Sequence, residues 1–274
     1  MNTVRVMSKN AAYQKFEVLR TNRNKRYRYG EFLVEGVRNI NQAIRNGWQF
    51  TSLLYSPETP LSRWAQEVLD TVSCDTHYQL SANLMQELSG KTDTSELLAI
   101  LRMRPDDPAL LHDSPCPLYI LFDRPSNHGN LGSIIRSADA LGADGLILTG
   151  HGVDLYQPEV ITASMGSFFN LPAIRMADND TVFDWIARQR DLHPGFQVIG
   201  TTAHKQLNIT QVDFRLPTLL MIGNETEGLC RAFKEGCDLL ATIPMADTSS
   251  ASSFNVACAA TVMMYEVCRQ RVQE

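Results

Sequence analysis

Three short polar segments of this chain carry residue types that could bind one ligand together. The first runs from Asn130 to Arg136, the second from Gly223 to Gly228, and the third ends in Ser253-Phe-Asn255. The first and third open directly into apolar helical patterns, and the second follows a strand-like run. Ligands of open α/β sheets bind at the ends of strands. The sequence therefore predicts one site made from three separate loops.

The side chains of these segments indicate what the site could do. Arg136 follows Asn130 by six residues, and we place it about one turn into a helix, where a guanidinium could grip a phosphate with two hydrogen bonds. Gly223 ends a strand and allows a close approach of backbone to a ligand. Glu225 suits ribose hydroxyls, a helix start or a bound cation. Capping alone would explain Ser253 and Asn255, but capping and ligand binding are compatible.

Several common sites are absent from the sequence. It contains neither the glycine fingerprint of dinucleotide-binding folds nor a P-loop, which disfavours a nucleotide-dependent oxidoreductase. It has no G-x-S-x-G segment with a paired histidine, which disfavours a serine hydrolase. The six cysteines form no C-x-x-C pair and the six histidines form no H-E-x-x-H. We therefore predict no metal site.

Charge is distributed unevenly along the chain. The net charge is −5, yet residues 1–50 contain ten Lys or Arg against three Glu. Five of these basic residues fall within nine positions, interleaved with Tyr27 and Tyr29: Arg20, Arg23, Lys25, Arg26 and Arg28. This run is either a solvated helix end or a surface that binds RNA backbone and stacks on bases. Because no apolar run could cross a bilayer and residues 1–20 lack a signal-peptide pattern, we expect a cytoplasmic protein without membrane contact.

The pattern of elements predicts two α/β domains. Residues 1–104 contain a helical pattern at 10–28 and several short strands, and form a small domain. Prolines and aspartates crowd residues 105–117, which we interpret as a linker. From residue 118 to 274, short apolar strands alternate with helices, which predicts a parallel sheet covered on both faces. The last helix, from Phe254 to Arg271, is apolar nearly all round, so it is buried inside the domain or against a second subunit.

The order and spacing of the polar segments resemble the three motifs of the SpoU (TrmH) branch of the SPOUT RNA methyltransferases. The matching residues are Asn130, Gly132 and Arg136 in the first motif, Gly223, Asn224, Glu225 and Gly228 in the second, and Ile243, Pro244, Met245, Ser253, Asn255 and Val256 in the third, with Phe254 in place of Leu. The resemblance covers about residues 118–270. The segment Phe32-Leu-Val-Glu-Gly36 makes the first domain similar to the L30e-like substrate-binding domain that often precedes this fold.

The resemblance implies a fold and an activity. The second domain would contain a trefoil knot, which periodicity cannot reveal. The protein would bind S-adenosylmethionine and methylate a ribose 2′-hydroxyl of structured RNA. The L30e-like domain favours 23S ribosomal RNA slightly over transfer RNA. The alternative is a protein that keeps the fold and binds RNA without catalysis, and the intact motif residues argue against it.

The resemblance also implies roles for residues. Those at the family's catalytic or substrate-side positions are Arg136, Asn130, Glu225, Ser253 and Asn255. Those expected near the cofactor are Thr201, Gly223, Asn224, Gly228, Ile243, Met245 and Phe254. With an RNA substrate implied, the basic run is expected to bind that RNA: Arg20, Arg23, Lys25, Arg26 and Arg28. Arg136 would act either as the base or as a clamp on phosphate and developing alkoxide charge, and the second role agrees better with a guanidinium that stays protonated.

Two further expectations concern the last loop and the last helix. Asp247 replaces a glycine common in the family, and the loop over 246–252 is longer, which predicts a looser cofactor pocket or a loop ordered by binding. The family is normally dimeric through its last helix, and the apolar character of this helix agrees with a homodimer.

Overall fold

The computed structural model describes residues 2–89, 93–204 and 206–272. It divides into two compact units, one formed by Met1–Arg104 with Asp154–Asn170 and the other by Pro105–Val153 with Leu171–Glu274. The residues interpreted as a linker, 105–117, belong to the second unit, and the segment Asp154–Asn170 packs with the first unit although it lies within the second predicted domain. No helix in the described ranges is long and apolar enough to cross a membrane.

The first unit is built on a mixed five-stranded sheet in the order β1-β4-β3-β5-β2. Its strands are β1 (Asn2–Val6), β2 (Glu31–Glu35), β3 (Phe50–Tyr55), β4 (Thr76–Leu80) and β5 (Leu97–Arg102). Strand β5 runs antiparallel to both of its neighbours, whereas β1, β4 and β3 are mutually parallel. Its helices are α1 (Ala11–Thr21), α2 (Arg23–Tyr29), α3 (Val37–Arg45), α4 (Arg63–Thr71), α5 (Ala82–Ser89) and α7 (Pro158–Ala163).

The predicted helix over residues 10–28 is wrong in one respect, because it is two helices. Asn22 adopts an extended conformation between α1 and α2, and its side chain accepts a hydrogen bond from the Lys25 amide. Asparagine is a poor residue for a helix interior and a strong N-cap. The break at Asn22 changes the direction of the basic residues that follow it.

The segment Asp154–Asn170 is held in the first unit by aromatic and polar contacts. Trp48 donates its indole N–H to the Phe169 carbonyl at 2.9 Å, and the rings of Phe32 and Tyr156 lie with centroids 4.8 Å apart. Asp154, itself buried, pairs with the buried guanidinium of Arg26 at 2.7 Å. These buried groups explain why a segment between two strands of the second unit belongs to the first.

The second unit contains the predicted parallel sheet, with seven strands in the order β10-β12-β9-β11-β6-β7-β8. Every described strand pair in it is parallel. The strands are β6 (Leu118–Asp123), β7 (Gly145–Thr149), β8 (Ala173–Met176), β9 (Gln197–Thr201), β10 (Leu207–Asn208), β11 (Thr218–Ile222) and β12 (Leu239–Thr242). The helices are α6 (His128–Ala140), α8 (Asn179–Leu192), α9 (Arg231–Gly236) and α10 (Val256–Arg271).

Helices cover the sheet of the second unit, because its strands are apolar and need to be shielded from water. Leu121, Val198 and Met221 from three strands pack in one buried cluster with Trp185 of α8 and Phe233 of α9. Helices α6 and α10 pack against each other and are linked by a hydrogen bond of 2.7 Å between the Ser137 and Thr261 hydroxyls. Because β6, β11, β9 and β12 are successive neighbours, the loops after all four meet at one edge of the sheet.

Candidate active site

The three predicted polar segments meet at the carboxyl edge of the parallel sheet through a chain of side-chain hydrogen bonds. The Asn255 carboxamide oxygen accepts the amide N–H groups of Ala257 and Cys258 at 2.9 and 3.3 Å, which caps α10. Its Nδ2 donates to Asn130 Oδ1 at 3.2 Å, and Asn130 Nδ2 donates to Glu225 Oε1 at 3.3 Å. The third, first and second segments are thus joined in that order.

Every hydrogen bond that links Asn255, Asn130 and Glu225 has a fixed donor and a fixed acceptor. An ionised carboxylate only accepts, so Asn130 must turn its N–H₂ group to Glu225 and its oxygen to Asn255. The backbone N–H groups of α10 only donate, so Asn255 must turn its oxygen to the helix. Each carboxamide uses one of its two N–H groups within the described residues, and the second N–H of each is available to a ligand.

The Glu225 carboxylate holds in place the loop between β6 and α6, residues 124–127, called here the first loop. It accepts the Ser126 amide at 2.9 Å, the Ser126 hydroxyl at 2.7 Å and the Asn127 amide at 3.1 Å, besides the Asn130 carboxamide. Partial burial raises the pKa of Glu225, but these hydrogen bonds outweigh burial and hold the pKa below its ordinary value. A carboxylate with four donors and a lowered pKa is a structural acceptor and a poor base.

Arg124, which the sequence motifs did not identify, joins the end of β6 to the second segment. Its guanidinium contacts the buried Asp123 carboxylate at 3.2 Å, the Gly228 carbonyl at 3.0 Å and the Glu227 carboxylate. Hydrogen bonding to Asp123 raises the pKa of Arg124. The only signal in the sequence was an acid-base pair directly after a predicted strand.

Beside this polar chain lies a cavity of about 350 Å³, formed by the loops after β9, β11 and β12 and by the start of α10. All seven residues expected near the cofactor line it, together with Glu225 and Ser253: Thr201, Gly223, Asn224, Gly228, Ile243, Met245 and Phe254. Sequence reasoning missed other lining residues, among them His204, Lys234 and Met263. Their side chains carry no motif that would have identified them.

The structure requires a glycine at position 223 for a reason other than the predicted approach of a ligand. A Cβ atom built there would lie 2.2 Å from the Leu229 amide nitrogen and 2.3 Å from the Gly228 carbonyl carbon. The close approach that requires glycine is therefore to the following turn of the same chain. Asn224 closes this turn through two backbone hydrogen bonds with Gly228, at 3.1 and 3.0 Å, so Gly223 shapes the cavity wall.

Arg136 lies farther along its helix than predicted. Helix α6 begins at His128, before Asn130, because Asn127 caps it by accepting the Asn130 amide at 2.9 Å. Arg136 is consequently in the third turn, about 9 Å along the axis from Asn130, and its side chain is exposed. It does not join the hydrogen-bonded chain of Asn130, Glu225 and Asn255.

The basic segment of the first unit separates into buried and exposed residues. Arg26 is fully buried and paired with Asp154, so the expectation that it binds RNA backbone is wrong. Arg20 donates to the Glu87 and Leu88 carbonyls at 3.1 and 2.8 Å and thereby caps the end of α5. Arg23 and Arg28 are exposed and Lys25 is half-buried, so these three keep charge at the surface.

Two family models match the chain, one in each of the predicted domains. The SpoU rRNA methylase family matches residues 117–265, and the SpoU L30e-like domain matches residues 10–99. The two matches agree with the predicted resemblance in both halves of the chain.

Relatives of known name and structure are similar along almost the whole chain. A 23S rRNA (uridine(2479)-2′-O)-methyltransferase of Streptomyces viridochromogenes is 45% identical over 98% of this chain and 93% of its own length. The crystal structure of the SpoU methyltransferase AviRb of that organism, in complex with AdoMet, superposes with a TM-score of 0.90 over 96% of this chain and 98% of its own. An AdoMet-bound rRNA methyltransferase of Sinorhizobium meliloti is 28% identical, with a TM-score of 0.84 over 99% of both chains.

Proposed function

Since the chain belongs to the SpoU rRNA methylase family, we propose that it transfers a methyl group from S-adenosylmethionine to a ribose 2′-hydroxyl of ribosomal RNA. The observation that carries the proposal is the directed hydrogen-bonded chain through Asn255, Asn130 and Glu225 beside the cavity. Ribosomal RNA is favoured over transfer RNA because two relatives that match along nearly the whole chain, at 45% and 28% identity, are rRNA methyltransferases. A non-catalytic RNA-binding role is not favoured.

The cavity fits the cofactor in size and in chemistry. Its volume of about 350 Å³ falls within the range of roughly 300–1,000 Å³ usual for small-molecule pockets. Ile243, Phe254 and Met263 supply apolar surface for a flat adenine ring, and the backbone at Thr201 and Gly223 supplies polar groups. When bound, the cofactor supplies a sulfonium methyl group that is open to in-line attack. Met245, two residues after Ile243 in the chain, also lines this cavity.

We assign Asn130 and Asn255 to the ribose hydroxyl. The orientations of both carboxamides are fixed by Glu225 and by α10, which leaves the second N–H of each for the ribose. Such preorganised donors hold the 2′-oxygen and stabilise the negative charge that develops on it during transfer. Ser253, which is exposed and lines the cavity, positions the hydroxyl from the cofactor side.

Glu225 acts in this mechanism as a positioning residue. Its oxygens are occupied by the first loop, and its lowered pKa keeps it ionised and weakly basic. The site therefore orients the nucleophile and stabilises charge, and the hydroxyl proton passes to solvent or to an RNA phosphate. Asn224 and Gly228 contribute by closing the turn that forms the cavity wall.

Arg136 is proposed as a clamp on the RNA phosphate next to the acceptor ribose. An arginine stays protonated, and an exposed guanidinium about 9 Å along α6 from Asn130 reaches beyond the ribose to the neighbouring phosphate. A bidentate grip there fixes the ribose against the cofactor methyl. Methyl transfer thus depends on both the charge of the Arg136 guanidinium and its ability to make two parallel hydrogen bonds.

A homodimer through α10 completes the proposal. Three large apolar side chains on this helix or at its start stay exposed in the single chain: Phe254 is 45% exposed, Val262 42% and Tyr265 58%. Val262 and Tyr265 are three residues apart and so lie on one face of the helix, which a second copy would cover together with Phe254 at its start. We place the protein in the cytoplasm, and the trefoil knot of the family stays a prediction. Sedimentation velocity is expected to give the mass of two chains.

The test is methyl transfer to RNA read at single-nucleotide resolution. Purified protein, S-adenosylmethionine and an unmodified transcript of bacterial 23S rRNA are incubated, and 2′-O-methylated positions are mapped by alkaline cleavage and sequencing. One protected ribose is expected. Arg136→Ala should lower kcat by about 100-fold or more, and Arg136→Lys should recover little because a lysine makes no bidentate contact. Absence of any protected ribose in 23S rRNA would overturn the proposed function.

A further inference from the structure

A second cleft of about 700 Å³ opens at the same edge of the parallel sheet as the cofactor cavity. The loop after β6 supplies Arg124, Pro125 and Ser126, and the loop after β7 supplies residues 151–153. Its third side is formed by Asn224, Thr226 and Glu227, and these same three residues also line the cofactor cavity. A single loop therefore separates the two spaces.

The walls of the second cleft are fixed by backbone contacts. Val153 donates its amide N–H to the Pro125 carbonyl at 2.8 Å, and a Cβ atom on Gly152 would lie 2.7 Å from that same oxygen. Arg124 has a positive φ of 50°, a left-handed conformation that is uncommon for a side chain of this size. Strained backbone of this kind is concentrated at functional sites.

The charge of the cleft disfavours a phosphate and favours a neutral ring. The Arg124 guanidinium is already bonded to Asp123, Glu227 and the Gly228 carbonyl, so two carboxylates share one cation. Glu227 is 68% exposed on its side chain and would repel an anion. It would instead accept an N–H from the edge of a nucleobase.

His151 adds a flat surface to this cleft. It is exposed and lines the opening, where an imidazole can stack on a base that is turned out of its own helix. Ser126, on the opposite loop, connects the cleft to the reactive side, because its hydroxyl donates to Glu225 at 2.7 Å and Glu225 accepts from Asn130. A nucleotide with its base in the cleft has its ribose near the carboxamides.

From this arrangement we propose that the second cleft binds the base of the methyl-acceptor nucleotide, stacked on His151 and bonded through an N–H to Glu227. The inference rests on the proposed function and extends it to the recognition of the target. Base recognition and cofactor binding then occur on the two faces of the loop at Asn224–Glu227. The cleft would contribute to choosing the nucleotide, and the cavity would supply the methyl group.

The test is a double-mutant cycle in which one change is made in the protein and the other in the RNA. An RNA fragment containing the ribose that the wild-type protein methylates is made with its natural base and as an abasic version at that nucleotide. His151→Ala is expected to lower kcat/KM for the natural fragment about tenfold, the usual order for one base stacked on an aromatic ring. On the abasic fragment the same substitution should change kcat/KM less than about twofold, because the stacking partner is already absent.

Controls separate this role from a structural one. His112 is exposed and outside both cavities, so His112→Ala should leave kcat/KM unchanged. His151→Phe should keep most of the activity because it keeps a flat ring. The affinity for S-adenosylmethionine, measured by calorimetry, should be the same for the wild type and all three variants.

Three results would overturn the inference while leaving methyl transfer by the wild type intact. The first is a full tenfold loss with His151→Ala on the abasic fragment. The second is no loss on the natural fragment. The third is coupling of His151 to an abasic site at a neighbouring nucleotide and not at the acceptor. Failure of the wild type to methylate any ribose would instead contradict the proposed function.

Discussion

The polar segments of the second unit and the basic segment of the first unit were both predicted to bind ligands, and they differ in how the fold uses them. In the second unit, Asn130, Glu225 and Asn255 come from three loops and form one hydrogen-bonded chain. In the first unit, five basic residues within nine positions are separated, because Arg26 is buried and Arg20 caps a helix. Residues distant in sequence are thus brought together, and residues close in sequence are separated.

The two regions show which sequence patterns specify a site. Polar residues at the ends of neighbouring parallel strands must meet at one sheet edge, whatever their separation in the chain. A run of charges on a helix points in all directions around its axis, so part of it faces the interior. A buried member such as Arg26 then needs a partner, which Asp154 provides.

The buried ion pair of the first unit should matter most for stability. Arg26→Ala removes the cation of a fully buried ion pair and leaves Asp154 without a counter-charge, which should cost about 3–5 kcal/mol of unfolding free energy. Urea denaturation followed by circular dichroism measures this change. Arg28→Ala, at an exposed position two residues on, is the matched control and should change stability by less than about 0.5 kcal/mol. Equal stability of the two variants would contradict the structural role given to Arg26.

The second prediction concerns the basic residues that keep charge at the surface. Replacing Arg23, Lys25 and Arg28 together with alanine should weaken RNA binding about tenfold or more at low salt. It should also reduce the slope of log affinity against log salt by about two to three, since each phosphate contact releases counterions. Filter binding over a salt series gives both values. An unchanged slope would mean that this segment is only a solvated surface.

The smallest expected effect belongs to the second unit and depends on pH. Hydrogen bonds hold the pKa of Glu225 below its ordinary value of 4.5, so its stabilisation is complete above that pH and is lost as pH falls through the lowered pKa. Glu225→Gln should therefore be less stable than the wild type by about 1 kcal/mol near pH 7, and the difference should shrink below pH 4.5. Melting curves across this range test it, with Glu67→Gln, an exposed carboxylate, as the control. A difference that is constant with pH would exclude the ionised carboxylate as the cause.

Much of the architecture could be predicted because it follows from patterns that physics constrains strongly. The apolar runs of β6, β7 and β11 are buried on both faces, which makes them readable as parallel strands. The seven expected cofactor residues line one cavity because their motifs mark strand ends. The pattern of short elements is weaker, and β1, β4 and α5 were not predicted, since each is at most eight residues long and contains only two or three apolar positions that show a period.

The parts that could not be predicted depend on long-range contacts. The placement of Asp154–Asn170 in the first unit follows from buried partners on other elements, such as Trp48 and Arg26, and leaves no local trace. Arg136 was placed too near the helix start because the cap is Asn127 and not Asn130. The role of Arg124 depends on Asp123, Glu227 and Gly228, which only the folded chain brings together.

The most direct test of the central claim compares cofactor affinity with methyl transfer in Asn130→Ala. This claim is that the polar chain serves the RNA ribose while the cavity beside it serves the cofactor. Calorimetry with S-adenosylmethionine should give a Kd within about twofold of the wild type, since Asn130 does not line the cavity. Single-turnover methyl transfer to the RNA should fall by about 100-fold or more, because a preorganised donor at the 2′-oxygen is lost. A variant that transfers methyl groups at the wild-type rate, or that loses cofactor affinity in the same proportion as transfer, would contradict the account.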